Sequence, residues 1–409
     1  MQLRIKETVS YYISKSSNVY MCMIDASKAF DRVNLVLLFS KLYQRGMCPY
    51  ILRLLINMYI KQRMRVTWNG CYSDFFSISN GVKQGGVLSP LLFNVYIQDL
   101  IVELRRYAIG CHVSGCFTGV FAYADDITLL APSCQAINKM LMTCERYAER
   151  YDIIFNSSKT KCMSFSSDSC NAKSKGCVMF MGSRLSFVNE CTLLGIPISD
   201  NISYTNVSST VSSFYIKSNS VRSDFYSLPY DIQFSLFSMY CLDVYGCQLW
   251  NFTDNSNECF YTAWRKVLRV MWNLPYRTHN VLIPAIFNTK QIDILLEIRC
   301  IKFLYNCINC NNFTVSLLTQ AALNNRRSVI GANFRYLAFK YRIDRHLWFT
   351  DIKDLLKCVD IYIEHCNVVN NEAHTRGAMI RELVLHKCDE FHLLNSDERK
   401  HLLEFVCTM

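Results

Sequence analysis

Apolar residues recur along this chain at two periods, and the place where one gives way to the other divides it near residue 200. Val19–Ile24 is a short unbroken apolar run, the signature of a buried strand. Leu35, Leu38, Phe39 and Leu42 follow at i, i+3, i+4 and i+7 and predict a helix. Ser89 and Pro90 read as the N-cap and first residue of another helix. Phe117 to Tyr123 predicts one strand and Ile127 to Ala131 a second, with Asp125 and Asp126 at the tight turn between them. Ile137, Met140, Leu141, Cys144, Ala148 and Tyr151 then mark a further helical face. Beyond residue 200 strand signals fade. Trp264, Val267, Leu268 and Met271 form a helical stripe with Arg265, Lys266 and Arg269 on its other faces, and helices continue from Ile352 onward. No internal repeat or low-complexity linker interrupts the pattern.

Two polar positions stand out against this pattern. Asp25 ends the first buried run, where a carboxylate either faces a cleft or caps the next helix. Asp125 and Asp126 are adjacent in a turn, repel each other and gain no core. Such a pair is either a solvated turn or a site for a hard divalent cation such as Mg²⁺, which takes oxygen ligands. Between the two sites, Gly81, Gly85 and Gly86 surround Lys83 and Gln84 and allow a ligand to approach the backbone. Their spacing is not that of a phosphate-binding loop, which excludes an ordinary nucleotide triphosphatase.

In this order the segments resemble the palm of reverse transcriptases, specifically those of non-LTR (LINE-type) retrotransposons. Asp25 to Val33 (DASKAFDRV) resembles the first catalytic motif, Gly81 to Tyr96 (GVKQGGVLSPLLFNVY) the second and Phe121 to Asp126 (FAYADD) the third. Asn156 to Lys161 is similar to the fourth motif, and Leu193-Leu194-Gly195-Ile196 to a primer-grip hairpin. Tyr245 to Trp250 and Arg269 to Pro275 resemble the region after the palm.

The resemblance implies two-metal nucleotidyl transfer from deoxynucleoside triphosphates to a DNA primer 3′-hydroxyl on an RNA template. It implies that Asp25, the Ala26 carbonyl and Asp125 hold two Mg²⁺ ions, with Mn²⁺ as a substitute, and that Asp126 is a further carboxylate of the catalytic set. Tyr123 would lie beside the primer terminus, Gln84 against the templating pair and Phe30 where it excludes a ribose 2′-hydroxyl. Lys159 would protonate the pyrophosphate leaving group. Each has a plainer alternative: a strand aromatic for Tyr123, a core ring for Phe30, a solvated cation for Lys159.

Composition adds a partner and removes some classes. The chain has 409 residues with 51% hydrophobic content, enough for two or three cores. Lys and Arg number 44 against 33 Asp and Glu, a net charge of +11 that suits a polyanion. No apolar run reaches the roughly 18 residues of a membrane span, and the polar start is not a secretory signal. An intracellular protein, nuclear or cytoplasmic, with no membrane and no disulfide-linked partner is expected. The 21 cysteines accordingly read as small reduced hydrophobes, and Cys307 and Cys310 lack the second pair that a zinc site needs.

The expected architecture is α+β: a right-hand polymerase palm over 1–200, with a remnant of fingers at its start, a helical thumb over 201–285 and a helical C-terminal region over 286–409. Basic side chains of such a thumb contact duplex phosphates. The aromatic and basic segment Phe334 to Arg342 either touches RNA or mixes core with surface. Only 24 residues precede Asp25, so the fingers that clamp the triphosphate and the family's endonuclease are expected to be largely missing, and the isolated chain to be impaired. The alternative function is a non-catalytic remnant or co-opted RNA-binding protein that keeps the fold. An RNA-templated RNA polymerase shares the Asp-Asp turn, but the FDRV and KQGGVLSP contexts argue against it.

Overall fold

The computed structural model describes residues 1–166, 176–276, 278, 280, 283 and 289–372. The chain divides into two compact units, Met1–Ile202 and Ser203–Met409. In chain order the first contains α1 (Gln2–Ser14), β1 (Val19–Ile24), α2 (Leu35–Gln44) and α3 (Pro49–Ile60). A hairpin arm follows, made of β2 (Arg63–Met64), β3 (Thr67–Trp68), β4 (Cys71–Tyr72) and β5 (Phe76–Ser77). Then come α4 (Ser89–Tyr107), β6 (His112–Val113), β7 (Cys116–Phe117), β8 (Val120–Tyr123), β9 (Asp126–Ala131) and α5 (Cys134–Arg150). The unit closes with β10 (Lys161–Phe165), β11 (Met179–Phe180), β12 (Ser183–Arg184), β13 (Glu190–Leu193) and β14 (Ile196–Ser199).

Its centre is an antiparallel sheet in the order β10-β1-β9-β8. β1 is paired on both sides and covered on both faces, which is why its sequence is a continuous apolar run. Cys22 and Ile24 face a core built with Leu38 of α2, Phe93 and Tyr96 of α4 and Leu141 of α5. Val19 and Met21 belong to a second core with Ile5 and Val9 of α1 and the β13–β14 hairpin residues Cys191, Leu193 and Ile198. That hairpin turns at Leu194 and Gly195, both with positive φ, the two-residue turn that suits strand twist.

Three local expectations need correction. Phe117 to Tyr123 is not one strand: Phe117 closes the β6–β7 hairpin and β8 begins only at Val120. Gly119 between them lies so close to Gly110 that a side chain there would sit 2.7 Å from its Cα. The turn between β8 and β9 is Ala124–Asp125, with Ala124 at φ 52°, so Asp126 is the first residue of β9. Ser89 is inside α4, not its cap, because its hydroxyl turns back to donate to the Lys83 carbonyl.

The second unit is helical over its described residues. α6 (Ser208–Asp224), α7 (Tyr230–Cys241) and α8 (Glu258–Met271) lead it. Helices Ile292–Ile308, Phe313–Asn324, Val329–Lys340 and Ile352–Glu372 follow. The α8 stripe Trp264, Val267, Leu268 and Met271 is buried, as its spacing requires, and Phe260 above it packs edge-on against Phe214 of α6. The remainder of the expected C-terminal region, from 373 on, lies outside the described residues. Among those described, no helix is long and apolar enough to cross a membrane.

Candidate active site

The carboxylates meet because of sheet register. Ile24 of β1 stands opposite Ile127 of β9, so one step further places Asp25 alongside Asp126. Asp125 is held next to them by the two-residue turn. Burial raises the Asp126 carboxyl above its ordinary range, and the charges of Asp125 and Asp25 push it further in the same direction. None of the three forms an ion pair, so their repulsion is uncompensated by any side-chain cation among the described residues. Asp25 is not a helix cap. Asn34 caps α2 instead, accepting from the Leu37 N–H at 3.2 Å.

The loop after α5 fixes Asp25 from its backbone. Asn156 N–H donates to the Asp25 carbonyl at 2.9 Å, Ser27 N–H donates to Ile154 at 2.8 Å, and Ala26 bridges Phe155 between them. In such an antiparallel bridge the flanking residues make both hydrogen bonds, which leaves the Ala26 carbonyl out of the ladder. Asn156 organises the rest of this loop: its side-chain oxygen accepts from the Ser158 and Lys159 N–H groups at 3.0 and 3.3 Å. The Lys159 side chain itself is exposed.

The glycine-rich segment is tied to the loop between β1 and α2. Gly81 N–H donates to Val33 and Val82 N–H to Phe30, each at 2.8 Å. Gly81 has φ +93°, and a Cβ on it would lie 2.7 Å from the Asp31 carbonyl oxygen. Gln84 is exposed and its amide donates to the Asp31 carboxylate at 3.2 Å. The Phe30 ring is half-buried and stacks on Phe93 of α4 with centroids 4.9 Å apart. Tyr123 is exposed on the β8–β9 hairpin.

Asp25, Asp125 and Asp126 therefore lie at one end of the sheet, near enough for their charges to act on Asp126, with Ala26 and the Lys159 loop bonded to the same backbone and Phe30 and Gln84 on the adjoining loop. Sequence reasoning missed Asp31, Gly81 and Asn156 as positioning residues. The Asn-Ser-Ser run was a usable signal, since Asn bonds its own backbone two residues on. As donors, three carboxylates and a backbone carbonyl suit a hard cation such as Mg²⁺. Among the described residues, however, no three His, Cys, Asp or Glu side chains are drawn close enough to form a ligand set.

Against known families, the model described as "Reverse transcriptase (RNA-dependent DNA polymerase)" matches residues 2–198. This region is a reverse-transcriptase domain. It is related to the Pol proteins of non-LTR retrotransposons. The Pol polyprotein from type-2 retrotransposable element R2DM of Drosophila melanogaster is 30% identical over 122 residues, 30% of this chain and 11% of that protein. The RNA-directed DNA polymerase from mobile element jockey of Drosophila funebris is 25% identical over 201 residues, 47% of this chain and 21% of that protein. The chain thus spans less than a quarter of the length of either relative. Apo telomerase from Candida tropicalis matches with a TM-score of 0.42 at 14% identity, over 89% of this chain and 54% of that one, a likeness too low to weigh.

Proposed function

We propose that the reverse-transcriptase domain performs RNA-directed DNA synthesis as part of a non-LTR retrotransposon polymerase. The observation that carries this reading is the group of three carboxylates without a cationic partner, at the end of a central strand whose next residues are bonded to both neighbouring loops. In the reaction the primer 3′-oxygen attacks the α-phosphorus of a deoxynucleoside triphosphate, the bond to the β-phosphate breaks, and pyrophosphate leaves. Asp25, Asp125 and the Ala26 carbonyl would hold the divalent ions, Mg²⁺ or Mn²⁺, whose chemistry is to stabilise the entering and departing oxygens. Asp126 adds negative charge beside them. Lys159 supplies a proton to the departing pyrophosphate. Phe30 sets the sugar preference, Gln84 supports the templating pair and Tyr123 packs beside the primer end.

In the same reading the sheet and helices over 1–200 are the palm, 201–285 are the thumb that follows the primer–template duplex, and 286–409 carry no assigned role. The test is primer extension on an RNA template with deoxynucleotides and Mg²⁺ or Mn²⁺. Asp125→Asn should lower the rate on the order of a thousandfold relative to the unaltered chain, while duplex binding persists. A chain that binds the duplex yet extends no primer with either metal, even when upstream sequence supplying the fingers is added, would instead favour a binding protein that retains the fold.

A further inference from the structure

The hairpin arm between α3 and the glycine-rich segment has no role in the chemistry above, and its composition is unusual for a surface ribbon. Every residue from Arg63 to Ser77 is exposed. Two-stranded ribbons are marginal in water unless a face is covered. This one pairs Arg63 with Ser77 and Met64 with Phe76 at its base, and Thr67 with Tyr72 and Trp68 with Cys71 at its tip. Asn69 and Gly70, both at positive φ, close the tip as a two-residue turn.

Side chains alternate across such a ribbon, and the alternation sorts them. At the tip Thr67 and Tyr72 share one face and Trp68 and Cys71 the other, and Trp68 is 82% exposed. Arg65 and Val66 form the step between the base and tip ladders, where the register shifts by one residue. There the Arg65 guanidinium lies over the Tyr72 ring at 3.9 Å and within 5.2 Å of the Phe75 ring centroid. Lys61, Arg63 and Arg65 face a single acidic residue, Asp74, over the whole stretch from 61 to 77.

Aromatic rings on which bases stack, interleaved with arginines that pair with phosphates, are the two components of single-strand nucleic-acid binding. Arg65 already stacked on Tyr72 fixes both groups before a ligand arrives. The arm is also joined to the candidate active site by its covalent path. Ile78 N–H bonds to Gln62 at the base, and three residues later Gly81 is bonded to Val33 on the loop that carries Phe30 and Asp31.

We propose that this arm, Arg63 to Ser77, binds a single strand of nucleic acid, stacking bases on Trp68 and Tyr72 and holding phosphates with Arg63 and Arg65. That the strand is the RNA template rests on the polymerase reading. That the arm binds single strands does not.

Trp68 gives a direct readout. It is the only tryptophan in Met1–Ile202, and Trp250, Trp264, Trp272 and Trp348 are all buried. Titrating the 409-residue chain with a 15-nucleotide oligouridylate should quench the exposed tryptophan emission, and Trp68→Phe should abolish that quench. Trp68→Ala and Tyr72→Ala should each weaken binding, measured by anisotropy of labelled RNA, by about fivefold to a hundredfold. Arg63→Ala with Arg65→Ala should lower the salt slope of log affinity by roughly 0.7 for each phosphate that is no longer neutralised. Circular dichroism would confirm that each variant keeps its fold, and 4-thiouridine crosslinks from the unaltered chain should map to residues 61–77.

Asp125→Asn should leave all of these signals unchanged. Arm variants that bind oligouridylate as the unaltered chain does would overturn the proposal even if primers are extended. Trp68 shielded in a concentration-dependent dimer without RNA would overturn it in favour of a protein surface. Loss of binding in the arm variants, in a chain that never extends a primer even with upstream fingers supplied, would sustain the arm and remove the polymerase reading.

Discussion

Phe30 is placed by two interactions of different kinds. Its carbonyl accepts from the Val82 N–H, and its ring stacks on Phe93, so the side chain is half-buried rather than sealed in the core. If it selects the sugar, Phe30→Val should raise ribonucleotide incorporation in a primer-extension assay with mixed nucleotides. The ring pair is worth about 0.5–1.5 kcal/mol beyond area burial, so a modest fall in unfolding temperature should accompany the change. A purely structural Phe30 would give the destabilisation with an unaltered deoxy-to-ribo ratio. Residues of this sort were legible in the sequence because a polar or aromatic group stood where the pattern had no use for it. Asp25 at the end of an apolar run and the doubled Asp125-Asp126 are examples. Asp31 was not legible, because its work is to accept a hydrogen bond from Gln84, far away in sequence; for Asn156 the sequence carried the local turn but not its backbone bond to Asp25.

Elements were predicted well where one face or one run decides them. β1, β9, α2 and α5 fall where their apolar spacing put them, because the two helices each bury one stripe in one core and the two strands bury both faces in two. The pattern failed where backbone meets backbone. The break at Gly119 follows from its approach to Gly110, and the placement of Ser89 follows from a hydroxyl bond to Lys83. Neither leaves a hydrophobic trace. The same kind of close approach makes Gly81 a sensitive point. Its φ of +93° disfavours any side chain, and a Cβ would fall within 3.0 Å of three Asp31 backbone atoms that cannot swing aside. Gly81→Ala should therefore cost on the order of 1–3 kcal/mol in denaturant unfolding and should also displace the Phe30–Asp31 loop. Unchanged stability and extension in this variant would mean that the glycine loop tolerates a shift that the geometry denies it.

At the scale of the molecule, the sequence indicated that strands give way to helices near residue 200, but not what holds the helical unit together. A buried charge network does part of that. Glu297 is almost wholly buried in helix Ile292–Ile308 and accepts from Lys340 at 2.8 and 2.9 Å, from Tyr336 at 3.1 Å and from Tyr341. Burial pushes the Lys340 ammonium down, but the Glu297 charge and hydrogen bonds prevail and its pKa is raised. A lysine raised on folding stabilises fully below its ordinary value of 10.5, and that contribution is lost only as pH climbs through the raised one. The unaltered chain should thus draw constant support from this pair across neutral pH. Lys340→Met should behave differently, since it leaves a buried carboxylate without its cation at a cost of about 3–5 kcal/mol. Removing that charge as well, in Lys340→Met with Glu297→Gln, should recover part of the loss. Four of the five tryptophans lie in this unit and are buried, so urea unfolding followed by their fluorescence reads it directly. A double variant as unstable as Lys340→Met alone would show that the cost does not come from the unpaired Glu297 carboxylate.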